Sequence, residues 1–277
     1  MKKGISIWSF PAAPLKDSFE LAKKAGFEGV EVALDVEGEV SLKSTEKQLL
    51  EVKRQAEDTG VELYSVASGL YWGYWLNDDD PKVREEAKDI VKKQLETAAV
   101  LGCQSILVIP GVVNADFALP GKVIDYETSY NRSLEALTEL KDCAEKYRVE
   151  IALENVWNKF LLSPVEMRDF IDKIGSKYVG SYFDIGNVLA YGYPEHWVKT
   201  LGDRIKKVHI KDYKTAAGGL CGFVDLLSGD VNFPAVMSAL RSAGYDGWIT
   251  AEMGLYKYYT ETLIYNTSRA MDNILGR

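Results

Sequence analysis

Short apolar runs alternate with longer amphipathic segments eight times along this chain, between Gly4 and Leu275. The runs cover 4–9, 30–34, 62–67, 105–109, 150–154, 179–184, 205–210 and 248–252. Most are rich in β-branched or aromatic residues, which favours strands. The intervening periodicity predicts helices over 15–25, 44–59, 81–101, 126–147, 164–174, 195–201, 233–243 and 258–275. Gly26, Gly60, Gly102 and Gly244 stop four of them, as a residue without Cβ can close a helix in the left-handed conformation. Ser163-Pro164 opens another, with proline at the first helical position. Asp78-Asp79-Asp80 reads as an N-cap with favourable charge at the positive end of the helix that follows. Eight strands, each followed by a helix and with no flexible linker, imply α/β architecture. The expectation is a single (β/α)8 TIM barrel over residues 1–277.

Four runs in the second half end on a potential metal ligand: Ile151-Ala152-Leu153-Glu154, Ser181-Tyr182-Phe183-Asp184, Lys207-Val208-His209 and Ile249-Thr250-Ala251-Glu252. Side chains alternate between the barrel interior and the helix layer. With Glu154 inward, Leu153 and Ile151 face the helices. The same holds for Phe183 beside Asp184, Val208 and Ile210 beside His209, and Ala251 and Ile249 beside Glu252. All four registers place an apolar layer outside and a polar group at the mouth, where barrel enzymes keep their active sites. Three carboxylates and an imidazole suit a divalent ion, Mn²⁺ first, with Mg²⁺, Co²⁺ or Zn²⁺ as alternatives. Taken singly, His209 reads as a hydrogen-bonded core residue and Glu252 as a salt-bridge partner. The ordered set of four is what points to metal.

Composition narrows the partners. With 41 acidic against 33 basic residues the formal charge is -8, which opposes binding to nucleic acid or to an anionic membrane. A small anionic substrate stays open, because a pocket can be locally basic. Cys103, Cys143 and Cys221 have no CxxC spacing and read as free thiols. No run of about 18 apolar residues suggests a membrane span, and the N-terminal residues enter a strand without a signal-like stretch. A cytoplasmic protein is expected.

The motifs Leu153-Glu154-Asn155, Tyr182-Phe183-Asp184-Ile185-Gly186-Asn187, Val208-His209-Ile210-Lys211-Asp212, Gly229-Asp230-Val231-Asn232-Phe233 and Ala251-Glu252 resemble the xylose-isomerase-like barrels of sugar and sugar-phosphate isomerases and epimerases. Ala25-Gly26-Phe27-Glu28-Gly29-Val30-Glu31 and Ala98-Ala99-Val100-Leu101-Gly102 also look like this group. The resemblance implies metal ligation by Glu154, Asp184, His209 and Glu252. By analogy with its ketose 3-epimerases, Glu154 and Glu252 would act as paired acid/base groups. One removes the proton beside the carbonyl, the metal stabilises the enediolate, and the other glutamate reprotonates the opposite face. A ketose such as L-ribulose 5-phosphate or L-xylulose 5-phosphate is within the implied substrate range. The group also suggests a homodimer or homotetramer.

Two positions depart from the free-sugar 3-epimerases of that group. Asn187 stands where they carry histidine, and Lys211-Asp212-Tyr213-Lys214 stands where they carry an arginine. Asn187 is expected to bond a substrate hydroxyl, and Lys211 a carbonyl-side oxygen or a phosphate. Lys214 reads as a solvated loop charge. Trp8, Ser68, Trp72, Trp157 and Asn158 are expected near the mouth, with Trp8, Trp157 and Asn158 as candidate substrate contacts. The run Tyr71-Trp72-Gly73-Tyr74-Trp75 reads as a cover over the pocket or an exposed apolar subunit contact. The alternative reaction class is a metal-dependent lyase of the inosose or dehydroshikimate dehydratase type. A repair endonuclease of the same superfamily needs many histidines and a basic face, which two histidines and net negative charge do not supply. A non-catalytic barrel is opposed by the two glutamates.

Overall fold

The computed structural model describes all 277 residues. Ten strands form: β1 Lys2–Ser6, β2 Gly29–Ala33, β3 Glu62–Ala67, β4 Ser105–Val108, β5 Glu150–Glu154, β6 Val179–Asp184, β7 Ile205–Ile210, β8 Asp212–Tyr213, β9 Phe223–Val224 and β10 Trp248–Ala251. Eight of them close a parallel barrel in the order β1-β10-β7-β6-β5-β4-β3-β2, and β8 and β9 pair as a separate antiparallel ribbon. The helices are α1 Leu15–Ala25, α2 Glu46–Thr59, α3 Pro81–Leu101, α4 Tyr126–Tyr147, α5 Pro164–Ile174, α6 Ile185–Val188, α7 Pro194–Leu201, α8 Phe233–Ser242 and α9 Thr260–Leu275. None is long and apolar enough to cross a membrane.

Local chemistry sets the helix limits. Thr45 and Gln48 form a capping box at α2, satisfying two orphan donors reciprocally. The expected start at 44 therefore moves to Glu46. Asp80 caps α3 by accepting from Lys82 N–H at 2.9 Å, and Pro81 follows at the first helical position. Gly26 closes α1 at φ 89°, and Phe19 and Ala22 turn its apolar face fully into the core. Burying a side chain the size of Phe19 contributes about 1.5–3 kcal/mol.

The alternation expected of the strands holds. Ile151, Leu153, Phe183, Val208, Ile210, Ile249 and Ala251 lie in the large apolar layer between barrel and helices. Ala67, Leu107, Ala152 and Tyr182 form a small apolar cluster of their own, with Trp8 packed on it. Adjoining that cluster is a chain of buried polar groups. Tyr64 Oη lies 2.8 Å from Thr250 Oγ1, which is 3.4 Å from Tyr182 Oη. A Cβ on Gly4 would lie 2.2 Å from Tyr64 Oη, so β1 needs glycine there.

Three features were not expected from the sequence: α6, the β8–β9 ribbon and short 3₁₀ turns. One of those turns, Ile7–Ser9, replaces the end of the predicted first strand and carries Trp8. The aromatic run after the third strand begins with a short 3₁₀ turn, Leu70–Trp72, and Trp72 lines the cavity at the mouth. Tyr71 and Trp75 are 1% exposed and belong to the core, whereas Trp72 and Tyr74 are only partly buried, so the run as a whole is not an exposed apolar patch. Tyr71 donates to Gln94 Oε1, which seats its hydroxyl inside.

Candidate metal centre

Register brings the strand ends together. Asp184 pairs with His209 across β6 and β7, and Thr250 pairs with His209 across β7 and β10. Glu154, Asp184, His209 and Glu252 each present one ligand atom, and these atoms all lie within 4.8 Å of one another. His209 Nδ1 sits 3.0 Å from Glu154 Oε1, 3.0 Å from Glu252 Oε2 and 3.9 Å from Asp184 Oδ2. Asp184 and His209 are fully buried, Glu154 nearly so, and Glu252 is 22% exposed at its side chain.

The donor set fits a divalent cation. Three carboxylates crowded into a buried volume repel one another unless a positive charge sits among them. In this structure two protein cations do so. His209, held against burial toward its protonated form by the surrounding carboxylates, is one; the other is Lys211, whose Nζ lies 2.9 Å from Asp184 Oδ2 and 2.8 Å from Glu252 Oε2. Asp184 Oδ2 still lacks a partner of hydrogen-bond geometry although it is buried. A carboxylate oxygen left in that condition suits a metal.

The electrostatics separate the two glutamates. Burial pushes Glu154 up to about 7, against the opposing pull of His209 and Lys211. Burial also raises Glu252, but Lys211 and His209 outweigh it and hold that carboxyl well below the usual range. Burial lowers His209, yet the charge of Glu31 and hydrogen bonds to Glu154, Glu252 and Glu31 hold it well above an ordinary imidazole. Lys211 follows the same pattern, with Asp184 and Glu252 overcoming desolvation.

Glu31 is the residue that strand-end reasoning missed. It sits on β2 at 0% exposure, accepts from Tyr182 Oη at 2.5 Å, and lies 2.8 Å from His209 Nε2. With Nε2–H given to Glu31, Nδ1 is the imidazole atom turned to the other three ligands. A carboxylate behind a metal-binding histidine fixes ring orientation and raises ligand basicity. The signal was present as Val30-Glu31-Val32, an acid flanked by two valines in the outer apolar layer.

Asp184 is held from several sides. Its Oδ1 accepts from Asn187 N–H at 2.7 Å, capping α6. Asn155 clamps its backbone, accepting from Asp184 N–H and donating to Asp184 O, both at 2.9 Å. A Cβ on Gly186 would lie 2.6 Å from Lys211 Cβ, so glycine there lets α6 approach the lysine closely.

A cavity of about 400 Å³ opens above this cluster. Trp8, Trp157, Asn187 and Lys211 line it, as do Ser68 and Trp72. Trp157 Nε1 donates to Asn187 O at 3.3 Å. The Asn187 amide donates to Asn155 O at 3.0 Å and keeps its own oxygen without a protein partner. Asn158 takes a different position from the other four. It is buried outside the cavity wall, donating to Gly111 O at 2.6 Å and accepting from Phe160 N–H at 3.1 Å, so it shapes the loop. Lys214 is exposed, as expected.

The family model described as xylose isomerase-like TIM barrel matches residues 19–271. Among curated relatives, a putative L-ribulose-5-phosphate 3-epimerase of Escherichia coli is 27% identical over 243 residues, covering 84% of this chain and 81% of that protein. An inosose isomerase of Bacillus velezensis is 27% identical over 255 residues, covering 90% and 86%. Among solved structures, a D-psicose 3-epimerase from Clostridium cellulolyticum, solved with D-tagatose, superimposes with a TM-score of 0.83 at 21% identity. That match covers 100% of this chain and 99% of the other.

Proposed function

Since the chain belongs to the xylose isomerase-like TIM barrel family, we propose that it is a divalent-metal-dependent isomerase of sugars, acting by 3-epimerisation of a ketose. The observation that carries this reading is the convergence of Glu154, Asp184, His209 and Glu252 on one point at the floor of the cavity. Relatives that carry epimerase and isomerase names support it.

Glu154, Asp184, His209 Nδ1 and Glu252 would hold the ion, with Mn²⁺ our first choice. The chemistry a bound divalent ion supplies here is Lewis-acid polarisation of two neighbouring substrate oxygens. The rest falls to the chain. β5 and β10 are separated in the ring by β6 and β7, which supports Glu154 and Glu252 approaching a substrate from different sides. Glu252, kept ionised by Lys211 and His209, is the group prepared to take the proton from the carbon beside the carbonyl. Glu154, across the cluster on β5, would carry the proton back to the other face. In the reverse direction the roles exchange. Lys211 and Asn187 orient the polar side of the sugar, and Trp8 and Trp157 cover its apolar face.

The test is incubation of the metal-loaded protein with ketoses, ketose phosphates and cyclic polyol ketones in D₂O. Deuterium at C3 of a recovered ketose together with its C3 epimer supports the reading. Loss of water from the substrate would assign a dehydratase instead. No exchange with any member of the panel refutes the proposal.

A further inference from the structure

We infer that the cavity selects an uncharged sugar and rejects the corresponding terminal phosphate ester. This rests on the epimerase reading and narrows its substrate class. Four observations carry it.

The first is the charge of the wall. Lys211 is the one cationic side chain lining the cavity; of the acidic ones, Glu154 and Glu252 belong to the ligand cluster, Asp212 is enclosed, and Asp225 stands at the rim. No arginine reaches it, so the bidentate fork that commonly grips a phosphate is missing. Lys211 is already committed, bridging Asp184 and Glu252 at 2.9 and 2.8 Å. It sits at the reacting end of the cavity, against the ligand cluster.

The second concerns backbone amides. Barrels often bind phosphate with the loops after their seventh and eighth strands and a nearby helix N-terminus. In this chain the loop after β7 has its amides turned onto an internal carboxylate. Asp212 accepts from Tyr213 N–H at 2.8 Å, Gly229 N–H at 2.9 Å and Val231 N–H at 3.2 Å. Asp212 is 1% exposed, and a Cβ on Gly229 would lie 2.2 Å from its Oδ1, so the carboxylate is tightly enclosed. The protein's own carboxylate occupies the anion position.

The third is that the same substitution recurs after β6, where Asp184 Oδ1 takes the Asn187 N–H at the start of α6.

The fourth is the remaining wall, which is aromatic. Trp8, Trp72, Phe117, Trp157 and Phe223 face the space. Trp72 and Phe117 pack edge to face at 4.8 Å, and Trp157 meets Phe223 at 5.5 Å. Because Trp157 Nε1 is spent on Asn187 O, that residue offers ring surface. Ring surface suits the C–H face of a neutral sugar and does nothing for a phosphate dianion. Asp225, exposed at the rim, adds a weak, solvent-screened like-charge repulsion.

The test pairs free pentuloses and hexuloses with their terminal phosphates, using the Mn²⁺-loaded protein. Initial rates of deuterium uptake from D₂O give kcat/KM for each. The free ketose should exceed its phosphate by about 100-fold or more. Equal or faster exchange of the phosphate ester overturns the inference. A second arm measures binding of a non-exchanging polyol and its phosphate by quenching of tryptophan fluorescence. Tighter binding of the polyol supports selection of the neutral ligand, and equal or tighter binding of the phosphate overturns it. Binding decides the selectivity even where no member of the panel exchanges deuterium, in which case only the epimerase reading falls.

Discussion

Replacing Glu31 with glutamine isolates the carboxylate beneath His209. Glutamine keeps the shape and an acceptor oxygen, so the cavity around it stays filled. What disappears is the negative charge 2.8 Å from Nε2. At 0% exposure no water takes over that role. A hydrogen bond to a charged group is worth about 1.5–3 kcal/mol net, which converts to roughly 10- to 150-fold in an equilibrium constant. Partners behind a metal-binding histidine cost a similar 10- to 100-fold in affinity when removed. The expectation is therefore a weakening of Mn²⁺ and Zn²⁺ binding by about 10- to 100-fold, read by competition with a chromophoric chelator. Far-UV circular dichroism and the thermal midpoint of the metal-free protein separate this effect from misfolding. Tyr182→Phe is the companion, since it removes a donor to Glu31 but leaves the carboxylate on the imidazole, and its effect should be much smaller. Unchanged affinity in a folded Glu31→Gln protein refutes the claim that Glu31 positions the imidazole. Equal losses in the two variants show that the buried polar chain acts as a whole and that the charge is not decisive.

Glu154→Gln and Glu252→Gln should each lower the rate of C3 proton exchange by about 10²- to 10⁴-fold, the usual contribution of a positioned acid or base. Full activity in either variant refutes the two-glutamate mechanism. Metal affinity should rise from pH 6 to pH 8. With Glu154 raised to about 7, a proton competes with the ion below that value and leaves above it, and His209 gives up a proton on binding too. Calorimetry in buffers of different ionisation enthalpy should show proton release, and affinity independent of pH would contradict the assignment. Gly186→Ala places a methyl 2.6 Å from Lys211 Cβ and should cost about 1–3 kcal/mol of stability in urea unfolding. Light scattering should give a multiple of the 30.9 kDa chain mass, as expected of the group, because Leu220, Leu227, Leu255, Tyr258 and Tyr259 stand exposed on the loops after β7 and β10. A mass of one chain at micromolar concentration refutes the oligomer.

Local patterns in the chain carry most of the architecture. Glycine stops at Gly26, Gly60 and Gly102 mark helix ends that the structure places at the same residues. Alternation around Glu154, Asp184, His209 and Glu252 gives their inward register, because a strand with one apolar face admits a single register. Glu31 escaped because it lies within its strand, while attention to strand ends selects terminal residues. Lys211 was legible as a cation near the site, but its bridge between Asp184 and Glu252 depends on how closely α6 approaches, which is a tertiary distance. Asn158 follows Glu154 by four residues, and nothing in that spacing says that Gly111 O will claim its amide. The β8–β9 ribbon has two residues per strand, too few for any period to register.

Asp184 is fastened by its own helix cap and by the Asn155 clamp, whereas Glu252 sits at the open side of the cluster with about a fifth of its side chain in solvent. The four ligands thus divide into a stiff half and a yielding half. A change in the radius of a bound ion would be met first at Glu252, whose ties to Lys211 and His209 are side-chain contacts that can shift more readily than the backbone clamp on Asp184. On the proposed mechanism, tolerance for ions of different size and the precision of proton removal would then reside in the same side chain. Exchanging Mn²⁺ for a smaller or larger divalent ion should alter turnover more than it alters binding.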